Sequence, residues 1–111
     1  MYQYKLRPAY GGNNLLLEFF IGSEQDDFMS DLFKAFNELD IQTKSVSDLW
    51  MNDEVILDLS SAVGDFSLSK DIWGFVFIMA DNNQDGIKIL DEHLIKSANF
   101  EKLDVDFNLY K

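Results

Sequence analysis

Several segments of the chain alternate apolar and polar residues with the two-residue period of a half-buried strand. Val55, Leu57 and Leu59 alternate with polar positions, so Asp58 is expected to face water. A Gly-Gly-Asn-Asn turn between the first two runs predicts a hairpin. The predicted strands are 2–10, 15–21, 54–60, 66–69, 72–80, 87–90 and 103–109.

Helical spacing is clearest after Ser23, where apolar residues recur every three or four positions along 24–39. Ser23 with Asp26 three residues later matches a capping box, which predicts the start of this helix. A shorter helical pattern covers 91–99. The polar segment 41–47 is compatible with a loop or a short strand, and 45–51 has room for one helical turn. The sum is an α+β fold: a mainly antiparallel β-sheet with one long helix (about 24–39) and one short helix (about 91–99) packed on one face.

The longest apolar run, 72–80, is far shorter than the roughly 20 residues of a membrane-spanning helix. We interpret it as a central strand with Trp73 in the core. The first residues lack the apolar stretch of a signal peptide. Residues 1–111 are expected to form a single cytoplasmic domain that does not enter a membrane.

The charge of the chain changes this picture most. It carries 20 Asp and Glu against 9 Lys and Arg, a net charge of −11. Between Glu18 and Asp65 there are 12 acids, and the only bases are Lys34 and Lys44. Such a surface repels nucleic acid and attracts basic proteins. Aromatic residues make up 14% of the chain, which indicates a folded core rather than acidic disorder.

The residues needed for most catalytic sites are missing. There is no cysteine, which excludes thiolate nucleophiles, disulfides and cysteine-based zinc sites. His93 is the only histidine, and no Gly-x-Ser-x-Gly nucleophile elbow or phosphate-binding P-loop is present. We therefore expect a binding protein with no enzymatic activity and no cofactor.

One motif points to a metal ion, because 81–92 matches the spacing of an EF-hand calcium loop, D-x-N-x-D-G-x5-E. The preceding run is apolar on all sides, and the chain has no second such loop. A hairpin loop between two strands requires the same residue types, and we favour that interpretation. The alternative is a calcium-binding module that uses Asp81, Asn83, Asp85, Ile87 and Glu92.

A partner-binding segment is suggested by 48–54, where tryptophan and methionine stand beside acids. Tryptophan is enriched in binding hot spots, and acids around it would steer a basic partner. In the competing interpretation Trp50 belongs to the core at the start of the next strand. The candidate partner-binding residues are Asp48, Trp50, Asp53, Glu54 and Asp58.

A small, acidic, cysteine-free α+β chain of this kind resembles bacterial immunity proteins of contact-dependent inhibition systems. The resemblance lies in size, charge and style, including the aromatic run 73–78 and the acidic segment 101–107. It implies a protein that neutralises a basic partner by blocking a nuclease toxin domain. A generic protein-interaction or regulatory domain is a further alternative, and the oligomeric state stays open.

Overall fold

The computed structural model describes residues 1–9, 12–49, 54–80 and 82–110. The strands are β1 (Tyr2–Pro8), β2 (Leu15–Ile21), β3 (Gln42–Leu49), β4 (Glu54–Ser61), β5 (Gly64–Asp71), β6 (Val76–Met79) and β7 (Phe100–Lys102). They form one seven-stranded sheet in the order β3-β4-β5-β6-β2-β1-β7. Neighbouring strands are antiparallel except β1 and β7, which are parallel.

Two α-helices complete the fold: α1 (Phe28–Ala35) and α2 (Gln84–Lys96). Short 3-10 helices cover Asn37–Leu39 and Phe107–Tyr110. The predicted α+β class, with a mainly antiparallel sheet and two helices, is confirmed. Within the described residues, no helix is long and apolar enough to cross a membrane.

Both helices bury their apolar stripes against the same side of the sheet. Phe28 and Leu32 of α1 and Ile87, Leu90 and Leu94 of α2 are fully or almost fully buried. They join a single cluster with the inward-facing residues of the strands. The inward-facing strand residues in this cluster include Tyr2, Tyr4, Leu17, Phe19, Leu59, Phe66, Leu68, Val76 and Ile78. We call this side of the sheet the core face and the opposite side the outer face.

Two tyrosines of β1 fasten the helices to the sheet through their hydroxyl groups. Tyr2 donates to Asp31 Oδ2 of α1 at 2.6 Å. Tyr4 donates to Asp91 Oδ1 of α2 at 2.8 Å. Lys102 Nζ of β7 also binds the Asp91 carboxylate, at 2.8 Å, so this buried charge is compensated. Strand β1 is thereby linked to both helices and to β7.

The predicted lengths of the two helices are reversed in the structure. The helix predicted for 24–39 is α-helical only from Phe28 to Ala35, which is 8 residues. The one predicted for 91–99 runs from Gln84 to Lys96, which is 13 residues. Ser23 is not an N-cap: it is buried, and its hydroxyl donates to the carbonyl oxygens of Phe19 and Gly74. The cap-like Ser23 serves a tertiary contact that sequence spacing does not reveal.

Three further local predictions are wrong. Residues 87–90, predicted as a strand, are helical, because the short Ile-Lys-Ile-Leu run fits both periods and Asn83 caps a helix just before it. Residues 45–49, placed in a helical turn, belong to β3; residues 50 and 51 lie outside the described part. The alternating segment 103–109 is no strand: Leu103 N–H still donates to the Tyr4 carbonyl of β1, but among the described residues the strand pairing ends at Lys102, and the segment ends in a 3-10 helix.

The tyrosine anchors predict how stability falls in alkali. The hydrogen bond to Asp31 raises the pKa of Tyr2 from 10.0 to about 12. Burial, aided by the bond to Asp91, raises the pKa of Tyr4 well above its usual value. Because both folded-state pKa values lie above the unfolded value, the contribution is complete below pH 10 and is lost as pH rises beyond it.

We expect the free energy of unfolding to fall between about pH 10 and pH 12, and less steeply in Tyr2→Phe and Tyr4→Phe, because phenylalanine has no proton to lose. Urea unfolding as a function of pH measures this. The chain has four tyrosines, so the difference in tyrosinate absorbance between the wild-type chain and each variant reports the titration of Tyr2 or Tyr4. An equally steep loss in both variants would contradict the assignment.

Candidate protein-binding site

The turn between β5 and β6 presents three large apolar side chains to solvent. Ile72 is 62% exposed, Trp73 is 72% exposed and Phe75 is 39% exposed. Ile21, at the end of β2, is also exposed. Monomeric proteins rarely leave a tryptophan with aliphatic and aromatic neighbours in water unless the patch binds something. We call residues 71–75 the Trp73 turn.

The Trp73 turn is held in one conformation by Asp71. Its carboxylate accepts hydrogen bonds from the backbone N–H groups of Trp73 and Phe75, both at 3.0 Å. The backbone closes the turn as well, through Gly74 N–H to the Asp71 carbonyl at 3.2 Å. Trp73 therefore extends into water from an ordered turn, which lowers the entropy lost when it is buried by a partner.

Gly74 is required in this turn for two reasons. Its backbone φ angle is +86°, a value that residues other than glycine rarely adopt. A Cβ atom at this position would also lie 2.6 Å from Cβ of Glu24. The backbone of the turn thus packs directly on the segment that joins β2 to α1, and the buried Ser23 hydroxyl donates to the Gly74 carbonyl.

Carboxylates surround the Trp73 turn. Glu24, Asp26 and Asp27 are exposed on the segment that Gly74 contacts, and Asp71 begins the turn itself. Residues 21–27 and 71–75 contain no lysine or arginine. The site combines an apolar anchor with a negative rim, the arrangement that suits a protein surface with lysine or arginine around an apolar pocket. We call these two segments together the Trp73 end.

The predicted partner-binding residues lie partly at this same end of the sheet. Glu54 begins β4 directly opposite Asp71 of β5, so the start of β4 lies beside the Trp73 turn. Trp50 and Asp53 lie outside the described residues. Asp48 is near the end of β3, and its side chain is also outside the described part.

The other two predicted residues occupy the outer face of β4. Glu54 is half-buried and accepts a hydrogen bond from the Ser69 hydroxyl. Asp58 faces water, as predicted, and accepts from the Ser45 hydroxyl at 2.7 Å. They are separated by four residues of extended chain, roughly 13 Å, so they do not form one compact cluster.

The expectation that Trp73 belongs to the core is wrong. The predicted strand 72–80 is a strand only from Val76 to Met79, and the residues before it form the turn. The sequence signal for this turn is Asp71 followed three residues later by Gly74, at the start of the apolar run. The apolar residues around this signal predict a buried strand instead of a turn.

The EF-hand alternative requires a loop over 81–92, but Gln84 to Lys96 is α2. Asn83 caps this helix by accepting from Gly86 N–H, and its amide donates to the Val63 and Asp65 carbonyls. Ile87 is buried in the core, whereas Asp85 and Glu92 are exposed on the helix. Asp81 lies outside the described residues. Among the described residues, no three acidic or histidine side chains are grouped to hold a metal ion.

Asp71 offers a test of how the turn is ordered. We expect Asp71→Ala to lower the free energy of unfolding by about 1–2 kcal/mol, because two N–H groups lose their acceptor. Asp71→Asn is the matched control, since its amide oxygen can still accept while the charge is removed. Urea unfolding distinguishes the two. Equal losses in both variants would mean that charge, not hydrogen bonding, orders the turn.

Calcium binding can be tested by thermal melting with calcium and with a chelator. We expect the same melting temperature in both, because residues 84–92 are helical and Asn83 is engaged as a cap. A ligand that bound only the native state would raise the melting temperature by mass action. A rise of several degrees that disappears in Asp81→Ala would restore the EF-hand alternative.

The comparisons with known proteins give no family to which the site could be assigned. Neither a protein-family model, nor a curated protein, nor a solved structure matches this chain. The features of this chain that bear on its function are therefore the exposed Trp73 turn, the carboxylates beside it and the net charge.

Proposed function

We propose that this chain is an acidic binding protein that holds a basic protein partner at the Trp73 end. The observation that carries the proposal is the ordered, outward-facing Trp73 beside four carboxylates, in two segments (21–27 and 71–75) that contain no basic residue. Binding covers the cationic surface of the partner and keeps its usual ligand away. The protein thus neutralises the partner by occupation, with no chemical step.

The apolar residues of the turn supply the affinity. Burying an exposed large apolar side chain stabilises a complex by about 1.5–3 kcal/mol, and a tryptophan at the centre of an interface commonly contributes 2 kcal/mol or more. Trp73, Ile72 and Phe75 form such a centre. Because Asp71 already orders the backbone around them, little conformational entropy is lost on binding.

The carboxylates supply speed and selectivity. A net charge of −11 creates a negative field that draws a cationic protein toward the surface and raises its association rate. At physiological salt this field decays over about 8 Å, so the carboxylates next to Trp73 act most strongly on a docked partner. The same field repels nucleic acid, which argues against direct nucleic-acid binding.

An immunity protein that blocks a nuclease toxin domain is the specific form of this function that we favour. A nuclease must present lysine and arginine to the phosphates of its substrate, so its active surface is basic. An acidic protein with an apolar anchor is complementary to such a surface. Support comes from the size, charge and exposed anchor of the chain and from its resemblance to immunity proteins.

Capture from a lysate of the source cells tests the function. We expect the immobilised wild-type chain to retain a basic protein, and Trp73→Ala to retain at least about tenfold less, because a lost hot spot costs 2 kcal/mol or more. Ile95→Ala is the matched control, since Ile95 is 57% exposed on α2 and is not part of the Trp73 end. The captured protein is identified by mass spectrometry.

Two further measurements separate the parts of the proposal. Association of the purified partner, followed by stopped-flow fluorescence, is expected to slow steeply as salt rises. Expression of the partner alone should degrade nucleic acid in the host, and co-expression of this chain should prevent it. A non-toxic basic partner would favour the generic interaction domain, while retention unchanged in Trp73→Ala would remove the Trp73 end as the binding site.

A further inference from the structure

Strand β3 leaves one side of its backbone without a partner strand. It lies at the end of the sheet order and pairs only with β4 among the described residues. It is 8 residues long, whereas β7 at the opposite edge has only 3. The described side chains of β3, Gln42 to Ser47, are all exposed. A long edge strand of this kind exposes a row of N–H and C=O groups that can pair with another chain.

The bulge and the lysine that protect this edge lie in its first half. The register shifts between Thr43 and Ser45, so Lys44 is an extra residue in a bulge. Its ammonium group forms an exposed ion pair with Asp65 at 3.0 Å. Bulges and lysines are the usual means of preventing unwanted strand pairing. From Ser45 to Leu49 the register is regular, and no charged lysine interrupts it.

The two sides of this open segment differ in chemistry. On the core-face side Val46 is 62% exposed, next to the half-buried Leu57, because the helices do not cover this edge of the sheet. On the outer-face side Asp58 is held toward the edge by its hydrogen bond with Ser45. A strand added here would meet an apolar surface on one side and a carboxylate on the other.

We propose that β3 accepts an extended segment of the basic partner, so that the partner's backbone continues the sheet beyond Ser45–Leu49. This inference rests on the proposed function and specifies how the partner docks. The segment alternates apolar residues, which lie over Val46, with lysine or arginine, which reach Asp58. Backbone hydrogen bonds supply affinity, and the alternation supplies selectivity.

Charge decides in favour of a basic partner over a second copy of this chain. Two copies joined along β3 would bring net charges of −11 together at one edge. A cationic strand instead lies near the carboxylate of Asp58 on the outer face of β4, and Lys44, the one lysine of β3, has Asp65 as its partner. The same surface therefore attracts the partner and disfavours self-association.

A defined peptide tests strand addition without knowledge of the natural partner. The probe is a fluorescein-labelled peptide of alternating lysine and valine, as long as β3 at 8 residues. Its control has the same sequence with D-amino acids at every second position, which preserves charge and composition but prevents regular strand pairing. We expect the all-L peptide to bind roughly tenfold tighter or better in fluorescence anisotropy, since only it forms the backbone bonds.

Hydrogen–deuterium exchange locates the contact. We expect the all-L peptide to protect amides of β3 and the D/L peptide to protect none. Val46→Pro should abolish the preference, because proline cannot sit within a paired strand, and Val46→Thr should retain it. The comparison of the two peptides on the wild-type chain does not depend on how Val46→Pro folds.

Three results would overturn the inference. If both peptides bind equally and salt weakens both to the same extent, charge alone attracts the basic partner and no strand is added. No binding of either peptide would mean that the edge does not accept a strand. A dimeric mass by ultracentrifugation, with β3 protected before any peptide is added, would assign the edge to a second copy. Failure of the proposed function itself is recognised separately, by capture that does not depend on Trp73.

Discussion

The attachment of both helices to β1 is the constraint on which the rest of this structure depends. Tyr2 and Tyr4 insert their rings among Phe19, Phe28 and Phe100, and their hydroxyl groups reach carboxylates on the two helices. Aromatic pairs in edge and offset geometries add to the free energy of simple burial. Because each hydroxyl finds a partner, the tyrosines can occupy the core without an unsatisfied polar group. The helices are thus fixed over the core face of the sheet.

That attachment leaves the β3 edge of the sheet uncovered. α2 contacts β2 and β7, whereas β3 at the opposite edge is not covered. The hairpins β3–β4 and β5–β6 therefore present an open edge and an exposed turn on the same side of the molecule. A single partner could contact both, because Glu54 and Asp71, which pair across β4 and β5, lie between them.

The carboxylates fall into two groups with different roles. Asp31, Asp91 and Glu18 are engaged by Tyr2, Tyr4 with Lys102, and Arg7. These contribute to the fold, and a partner cannot use them without breaking it. Glu24, Asp26 and Asp27 are exposed beside the Trp73 turn. A high net charge alone does not distinguish the groups, since each carboxylate carries the same charge and only its neighbours differ.

The sequence by itself determined the fold class, the absence of thiol chemistry and the sign of the surface charge. Apolar residues that recur every two residues identify strands, and those that recur every three to four identify helices, when the run is long. The lack of cysteine and the net charge follow from the residue content alone. Short runs fit both periods, so the pattern of 87–90 predicts a strand although these residues are helical. The placement of Asp58 on the water-facing side of β4 followed from alternation alone and is confirmed.

Only the tertiary structure decided which residues are covered and which are left open. The Ser23 hydroxyl meets Gly74 from a distant part of the chain, and Asn83 is held by the β4–β5 turn as well as by its own helix. Such contacts join residues far apart in sequence, so no local pattern encodes them. The apolar neighbours of Trp73 predict a core residue. Trp73 is instead exposed, because Asp71 and Gly74 form a turn at this point of the chain. Burial is a property of what packs against a residue, and that depends on the whole fold.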